Sequence, residues 1–416
     1  MVILRSAGPY TRISHLLRAI SPSLWPTNLL RQLDEYTLRE VERLLATPLP
    51  KRAQEQSLLP LSFGGLGLPS ASDREKHPHF HYKALLSIRE KLQLLNGFDN
   101  LQTTINVIPP HNQQNNAKDR FELLSRSISP AQRVLLYQIK NLHSGAVLTA
   151  KPTGNTEIND EAFTTPIRLR LGLEQLLAGF NCETHGAAID THAYHALSCQ
   201  NFQGAVHARH DLIRDELFAL CQTLDRDSEV KQSSMHSITE QLSLNDPQTE
   251  QRASGRTIPG DITVRLTRDA EARTFYDITV INTLTGQAVA TALQRPDPES
   301  GTLAVLEEAY HKKLSKHAAE VTRIGGQFYP LVLSVTGVWH PDWLRRLREL
   351  SGYAAARRGR TETEGWKTLL ARIGCALARG NALILKAARS AMHPETADDQ
   401  SFDTGGTLPD RFVETN

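Results

Sequence analysis

Two acidic side chains near the middle of the chain are the first candidates for chemistry. Asp261 opens a short segment that alternates apolar and polar residues, and Asp277 lies inside a second segment rich in β-branched and aromatic residues. Both patterns are typical of β-strands, where aspartate is uncommon. An acid inside such a strand loses solvation and needs a cation to remain charged. Two acids on adjacent strands are therefore suited to binding one hard divalent ion.

Three further side chains have the types that would complete a hydrolytic site. Glu216 lies on a helix predicted from 209 to 220, and Lys313 and Lys316 lie on a later amphipathic helix. Glu216 and the two aspartates can hold one or two Mg²⁺ ions, while a lysine can orient water or stabilise charge on a phosphate. Each has a simpler interpretation as well. Asp261 could end a turn, Glu216 could be an ordinary surface glutamate, and the lysines could only solvate their helix.

Cysteines and histidines form a separate cluster of two close pairs. Cys182 is paired with His185, and His195 with Cys199, while His192 lies between them as a spare candidate. Two such pairs joined by a short loop suit a tetrahedral zinc ion. Four protein ligands predict a closed, structural site that supplies folding energy to a segment with little core of its own. The alternative is a histidine-rich surface loop with two buried cysteines.

Hydrophobic periodicity predicts the elements that position these residues. The fold class predicted is α+β or α/β, with a helical N-terminal half, a small zinc-binding segment and a central sheet flanked by helices. We expect the following regions: helices at 1–75, a helical linker at 76–178 with a polar loop at 111–118, a zinc knuckle at 179–200, a core at 205–350 with a polar loop at 222–256, a helix at 351–390, and a disordered tail at 391–416.

Composition narrows the class of protein. The chain has 416 residues, 40% of them hydrophobic, which allows two or three domains. We expect neither a secretory signal nor a membrane span, because no long uncharged apolar run is present. Four cysteines are too few for a disulfide scaffold and favour a reducing, intracellular compartment. A net charge of +2 neither demands nor excludes nucleic acid.

The order of these features resembles the C-terminal region of non-LTR retrotransposon reverse-transcriptase proteins that carry a restriction-enzyme-like endonuclease. The likeness covers residues from about 180 to 390, and residues 1–75 resemble more weakly the segment C-terminal to a polymerase palm. The residues that carry it are Cys182, His195 and Cys199 of a zinc knuckle, Arg209-His210-Asp211 on a helix, Pro259 with Asp261, Tyr276 to Val280, Ala309 to His317, and Gly337 to Pro341.

This resemblance implies a PD-(D/E)xK nuclease core with a mixed β-sheet, catalytic Mg²⁺ and structural Zn²⁺. Asp261 and Asp277, with Glu216, would bind Mg²⁺, and either Lys313 or Lys316 would position water or the scissile phosphate. The residues expected to contact DNA phosphates are Arg209, His210 and Arg256. The expected activity is nicking of genomic DNA in the nucleus to prime reverse transcription, with element RNA and a separate polymerase-containing chain as further candidate partners and no membrane.

The sequence departs from the family pattern at several positions. His185 stands where the family has a cysteine, Gly260 separates Pro259 from Asp261, and Thr279 occupies the usual lysine position. The resemblance then implies that the lysine has moved to the helix. No Tyr/Phe-x-Asp-Asp polymerase motif is present, so we do not expect DNA synthesis by this chain alone.

Two rival interpretations remain open at this point. The chain could be a decayed fragment that binds nucleic acid without cutting it, through the knuckle and the arginine-rich segments 345–348 and 357–360. It could also be a helical scaffold whose zinc site is only structural. If the chain is such a scaffold, Asp261 and Asp277 would not converge in three dimensions.

Overall fold

A computed structural model describes residues 27–68, 70–71, 113–177, 179–182, 184–186, 188–224, 229–232, 260–265, 273–295 and 297–392. Within these ranges the protein is a mixed α and β structure with eleven α-helices and two small sheets. The expectations for 1–26, for 72–112, for 233–259 with Arg256 and Pro259, and for the tail from 393 lie outside the described residues.

Strands β1 (Phe180–Asn181) and β2 (Ala188–Ile189) form the smaller sheet. The main sheet has four strands in the order β3 Glu229–Gln232, β4 Ile262–Arg265, β5 Arg273–Ile281 and β6 Gln327–Ser334. Strands β3 to β5 are antiparallel to one another, whereas β6 runs parallel to β5. The parallel pair requires a crossover, which two helices supply: α8 (Gly286–Leu293) and α9 (Pro298–Arg323).

The two faces of this sheet carry different layers, because successive strand residues point to opposite sides. One face packs against α7 (Gln203–Cys221), α10 (Pro341–Arg357) and α11 (Glu362–Met392) in the largest core of the protein. The strand residues in that core are Ile262, Val264, Tyr276, Ile278, Leu331 and Leu333. The other face packs against α9, where Leu306 contacts Val332. The odd-numbered side chains of β5 therefore share their face with α9.

Helix α9 begins at a well-defined cap. Asp297 Oδ1 accepts a hydrogen bond from the backbone N–H of Ser300 at 2.8 Å, and Pro298 occupies the first helical position. Both features favour a helix start, since the cap satisfies an otherwise unpaired N–H and proline needs no partner there. The cap fixes the register of the helix that presents Lys313.

Within its described residues, the N-terminal half is helical, as predicted, and packs against the C-terminal helix. Its helices are α1 Thr27–Leu45, α2 Lys51–Ser57, α3 Gln113–Ser127, α4 Pro130–Gln138, α5 Ala146–Thr149 and α6 Asp160–Arg170. The glycine-rich turn after α2 contains Gly64 and Gly67 at φ values of +79° and +66°, where glycine avoids the steric cost of a side chain. Helix α11 contacts α5 and α6, so it belongs to the same packed body as the sheet.

Several predicted boundaries were wrong. Residues from Gln113 onward form helix α3 rather than a polar loop, and residues 171–177, predicted as helix, lie beyond the end of α6. Strand β3 lies inside the segment predicted as the loop 222–256. The predicted boundary at 350 falls within α10, and α11 shares the core of the sheet.

By length and composition alone, α11 could cross a membrane. The most apolar window of this helix, however, is 67% buried inside the protein. Its buried residues include Ile373, Leu377 and Leu385, which belong to the cores beneath the sheet and the cysteine–histidine cluster. A core helix accounts for its apolar composition.

The crossing of α7 and α11 gives a first testable prediction. A Cβ at Gly380 would lie 2.3 to 2.7 Å from Arg209 Cγ, Cβ and Cα. Gly380→Ala should therefore destabilise the protein by about 1–3 kcal/mol, the usual cost of overpacking, in urea unfolding. Gly204→Ala is the matched control, because nothing lies within 4 Å of its added Cβ near the start of α7. Equal stability of the two variants would contradict this crossing geometry.

Candidate active site and metal-binding cluster

The structure places Asp261 and Asp277 next to each other. Antiparallel pairing joins Ile262 to Tyr276, so continuing the register by one residue brings Asp261 opposite Asp277. Opposite residues of an antiparallel pair point to the same face, with Cβ atoms about 4.5–5.5 Å apart. The charge of Asp261 also contributes to raising the pKa of Asp277. The two acids form what we call the acid pair.

Asp261 is held by a backbone group and by α7. Its Oδ2 accepts a hydrogen bond of 2.6 Å from Ile278 N–H and lies 3.1 Å from His210 Nε2. His210 Nδ1 in turn lies 3.3 Å from Asp211 Oδ1. Burial lowers the pKa of His210, but the hydrogen bond to Asp261 and the charges of both aspartates outweigh it and raise that pKa. A protonated His210 can donate to both carboxylates.

Asp277 is held by α9. It is only 8% exposed, and Lys313 Nζ forms an ion pair with its Oδ2 at 2.7 Å. Burial raises the pKa of Asp277 above its ordinary value, more than Lys313 and His317 lower it. The structure thereby distinguishes the two candidate lysines, because Lys313 reaches the acid pair whereas Lys316 is exposed on another side of α9.

Two polar groups beside the acid pair were not predicted as site residues. His317 lies one helical turn after Lys313 and interacts with the charge of Asp277, although burial lowers its pKa on balance. Thr279 Oγ1 is buried and has no hydrogen-bond partner among the described residues. The i, i+4 spacing from Lys313 was the signal that could have found His317, since such residues share a helix face.

Glu216 does not join the acid pair in this structure. Its Oε2 forms an ion pair with Arg372 Nε of α11 at 2.5 Å, and the side chain is buried there. Glu216 comes six positions after His210, which places the two about 120° apart around α7. The expectation that Glu216 is a third Mg²⁺ ligand was wrong in this geometry.

Of the three residues expected to contact DNA, two lie in the described part of the chain. Arg209 is 1% exposed and donates from Nη1 to Asn381 Oδ1 at 3.0 Å, so it packs inside the protein and cannot reach a phosphate. Burial lowers the pKa of Arg209 to about 10. His210 contacts Asp261. Arg256 lies outside the described residues.

Each arginine of the segment 345–348 on α10 has an acidic partner within the protein. Arg345 pairs with Asp342 at 2.7 Å, and Arg348 pairs with Glu362 at 3.1 Å. Arg346 pairs with Glu349 and contacts the Tyr276 hydroxyl from the edge of the core. These intramolecular partners weaken α10 as a surface for nucleic acid.

The cysteine–histidine cluster has the geometry of a metal site. The candidate ligand atoms of Cys182, His185, His195 and Cys199 all lie within 4.8 Å of one another. The two sulfurs are 3.4 Å apart, and His185 Nδ1 is 3.3 Å from Cys182 Sγ and 3.6 Å from Cys199 Sγ. Tetrahedral zinc with bonds of about 2.0–2.3 Å separates its ligands by about 3.3–3.8 Å. These four residues could bind a metal ion such as zinc.

Hydrogen bonding and burial in the cluster also suit a metal. Asn201 Nδ2 donates to Cys182 Sγ at 3.3 Å, as an outer partner of a thiolate ligand does. Burial raises the pKa of Cys182, but hydrogen bonds with His195 and His185 outweigh it and lower that pKa to about 6. His195 Nε2 is buried without a hydrogen-bond partner among the described residues, which a metal bond would remedy.

The cluster is built into the core of the protein. Cys182 and Cys199 pack in one hydrophobic cluster with Ile384 and Leu385 of α11. Asn282, directly after β5, donates to Tyr194 O at 2.6 Å and so connects the cysteine–histidine segment to the strand of Asp277. Loss of a metal here would therefore disturb more than a surface loop.

No known family model matches this chain, and no curated protein matches it at a significant level. Among the described residues, the cysteine–histidine cluster is the only group of three or more potential ligands close enough to hold a metal. The acid pair offers two carboxylates.

The raised pKa of Asp277 predicts a cost to stability. A carboxyl whose pKa is higher in the folded state makes unfolding easier as pH rises above its unfolded value of about 4. Asp277→Asn should therefore raise the free energy of unfolding of the metal-free protein at pH 7. The gain should vanish below pH 4, which urea titrations at several pH values would measure. A loss of stability at pH 7 would contradict it.

Proposed function

We propose that this protein is a metal-dependent endonuclease that hydrolyses phosphodiester bonds in DNA. One observation carries the proposal: two strands bring Asp261 and Asp277 together on one face, and Lys313 Nζ lies 2.7 Å from Asp277 Oδ2. Paired acids with a lysine are the equipment for metal-assisted phosphate hydrolysis. The mixed sheet flanked by helices supports a restriction-endonuclease-like core.

The acid pair suits Mg²⁺ as the cofactor. Mg²⁺ in phosphate-cleaving sites commonly uses one or two carboxylates and takes its remaining ligands from water and substrate phosphate. Asp261 and Asp277 would hold the ion. The buried hydroxyl of Thr279, which has no hydrogen-bond partner in the described part of the chain, lies two residues after Asp277 on the same face of β5. When bound, the ion supplies an activated water and neutralises charge on the phosphate.

The remaining residues of the site have defined roles in this proposal. Lys313 holds a proton and a positive charge at Nζ, beside the position where the scissile phosphate would gain negative charge. His210 and Ile278 N–H orient Asp261 from two directions. His210 is thus a positioning residue rather than a phosphate ligand.

We assign zinc to the cysteine–histidine cluster, as a structural ion. Two thiolates and two imidazoles form a closed set of four ligands, which leaves no position for substrate. In the wider proposal, the protein derives from a retroelement and nicks genomic DNA in the nucleus. Element RNA and a separate polymerase chain are its candidate partners.

One observation favours a second candidate, a chain that binds nucleic acid without cutting it. Each acid already has a protein partner: Lys313 for Asp277, and His210 with Ile278 N–H for Asp261. Such partners would have to share the carboxylates with a metal. A protein that binds DNA but never cuts it, at any Mg²⁺ concentration, would establish this candidate.

Conversion of supercoiled plasmid to nicked circle tests the proposed function. The zinc-loaded protein should nick with Mg²⁺ and remain inactive with Ca²⁺ in its place, because Ca²⁺ prefers larger and looser coordination. Nicking that is equal with and without a divalent ion would contradict the proposal, as would the absence of nicking with Mg²⁺ or Mn²⁺.

Lys313→Met tests the assigned lysine. It keeps the side-chain length but removes the charge, so nicking at saturating DNA and Mg²⁺ should fall about 100-fold, the usual effect of losing one transition-state contact. Lys386→Met on the exposed side of α11 is the matched control and should retain wild-type activity. Full activity of Lys313→Met would show that Lys313 is not part of the active site.

A further inference from the structure

A row of exposed cations runs along one side of α9. Lys312, Lys316 and Arg323 are all exposed, and at 100° per residue they fall within about 40° of one another around the helix. They span about 16 Å along its axis at 1.5 Å per residue. We call these three residues the α9 stripe.

The α9 stripe differs from the segment 345–348 of α10 in its ion pairs. None of its three residues forms an ion pair with any described residue, although Glu308 and Glu320 lie one turn away from the two lysines. On α10, in contrast, Arg345 is paired with Asp342 and Arg348 with Glu362. Among the described residues, the stripe therefore offers three exposed cations without a paired carboxylate, whereas the arginines of the segment 345–348 are paired.

The position of the stripe is fixed by the contacts on the opposite side of α9. Glu307 lies about 140–180° from the stripe around the helix and contacts His340, which comes after β6. At 100° per residue, Lys313 lies about 60–100° from the stripe, so the stripe borders the side of α9 that presents Lys313 to Asp277. Lys313 lies between the stripe and the acid pair.

We propose that the α9 stripe binds the phosphate backbone of duplex DNA and leads one strand to the acid pair. The choice of DNA rests on the proposed function, and the charge and position of the stripe carry the rest. Lysine and arginine on an exposed helix suit phosphates as point-charge partners, which position the duplex without reading its sequence. Lys316 is thereby a DNA-binding residue rather than a catalytic one.

Fluorescence anisotropy with a 20-base-pair duplex in Mg²⁺-free buffer tests the stripe. Lys312→Ala/Lys316→Ala should bind DNA at least 10-fold more weakly than wild type at low salt. The slope of log affinity against log salt should fall by about 2, because each phosphate contact contributes about 0.9. Arg345→Ala/Arg348→Ala is the matched control on α10 and should change affinity less than 2-fold.

The outcomes separate this inference from the proposed function. The proposal that the α9 stripe binds DNA would be contradicted by any of three results. These are equal effects of the two double variants, no effect of either, or wild-type protein that does not bind DNA. Tighter binding to a duplex of RNA of the same length would overturn DNA as its ligand. A further result is that only the stripe variant loses DNA binding while the wild type never nicks plasmid. In that case DNA binding by the α9 stripe is supported and the endonuclease proposal fails.

Discussion

Asp277→Asn should reduce Mg²⁺-dependent nicking of plasmid DNA by about 1,000-fold, which corresponds to about 4 kcal/mol of transition-state stabilisation. The substitution keeps the shape of the side chain but removes the charge that would hold Mg²⁺ and that pairs with Lys313. Binding of duplex DNA should persist, because the α9 stripe is unchanged. Rates measured at saturating DNA isolate the chemical step.

The control for this prediction is Asp215→Asn. Asp215 is an exposed acid on α7 that pairs with Arg214 at 3.3 Å. It should nick as the wild type does. If Asp277→Asn nicked at the wild-type rate, the acid pair would not be the active site. Loss of folding is excluded in the same samples by urea unfolding, where Asp277→Asn should be at least as stable as wild type.

Cys182→Ala should remove bound zinc and lower the free energy of unfolding by at least about 3 kcal/mol. Structural zinc sites contribute more than this in small domains. Here the site shares its core with α11, so losing the metal should weaken the whole packed body rather than one loop. Metal content by mass spectrometry and unfolding in urea give the two readouts.

Cys375→Ala is the matched control for the zinc prediction. Cys375 is also buried, but it contacts the backbone of Thr156 and lies outside the cysteine–histidine cluster. This variant should retain one equivalent of zinc. Wild-type protein that folds with the same stability after complete removal of zinc would contradict a structural metal.

Local pattern was enough to predict the strands that carry the acids. The strand ends predicted from their β-branched and aromatic residues lie within two residues of the observed ends of β4 and β5. In these segments, β propensity and burial favour the same structure. Strand β3 was missed because Glu229–Gln232 is mostly polar and lies at the edge of the sheet. An edge strand buries little and leaves little pattern in the sequence.

Partners distant in the sequence explain the errors at the site. Glu216 pairs with Arg372, 156 residues away, and no local feature indicates that contact. Arg209 left a clearer signal, because it precedes Ile213 and Leu217 by one and two turns on the buried side of α7. An arginine in that row is positioned to face the core, and here it packs against α11.

The register of β4 and β5 could be expected in part. A hairpin brings Asp261 and Asp277 to neighbouring strands, but the sequence does not state which residues lie opposite. The structure supplies that register and, through Lys313, the link to α9. The interrupted Pro-Gly-Asp and the displaced lysine are therefore compatible with convergence of the three groups.

Anomalous diffraction from crystals grown with Mn²⁺ and a duplex DNA tests the central claim most directly. Mn²⁺ substitutes for Mg²⁺ at oxygen ligands and can be located without measuring activity. We expect one anomalous peak within about 2.0–2.3 Å of carboxylate oxygens of both Asp261 and Asp277, with Lys313 beside it. A Lys313–Asp277 ion pair that persists in the DNA complex, with no peak at the acid pair, would contradict the proposed active site.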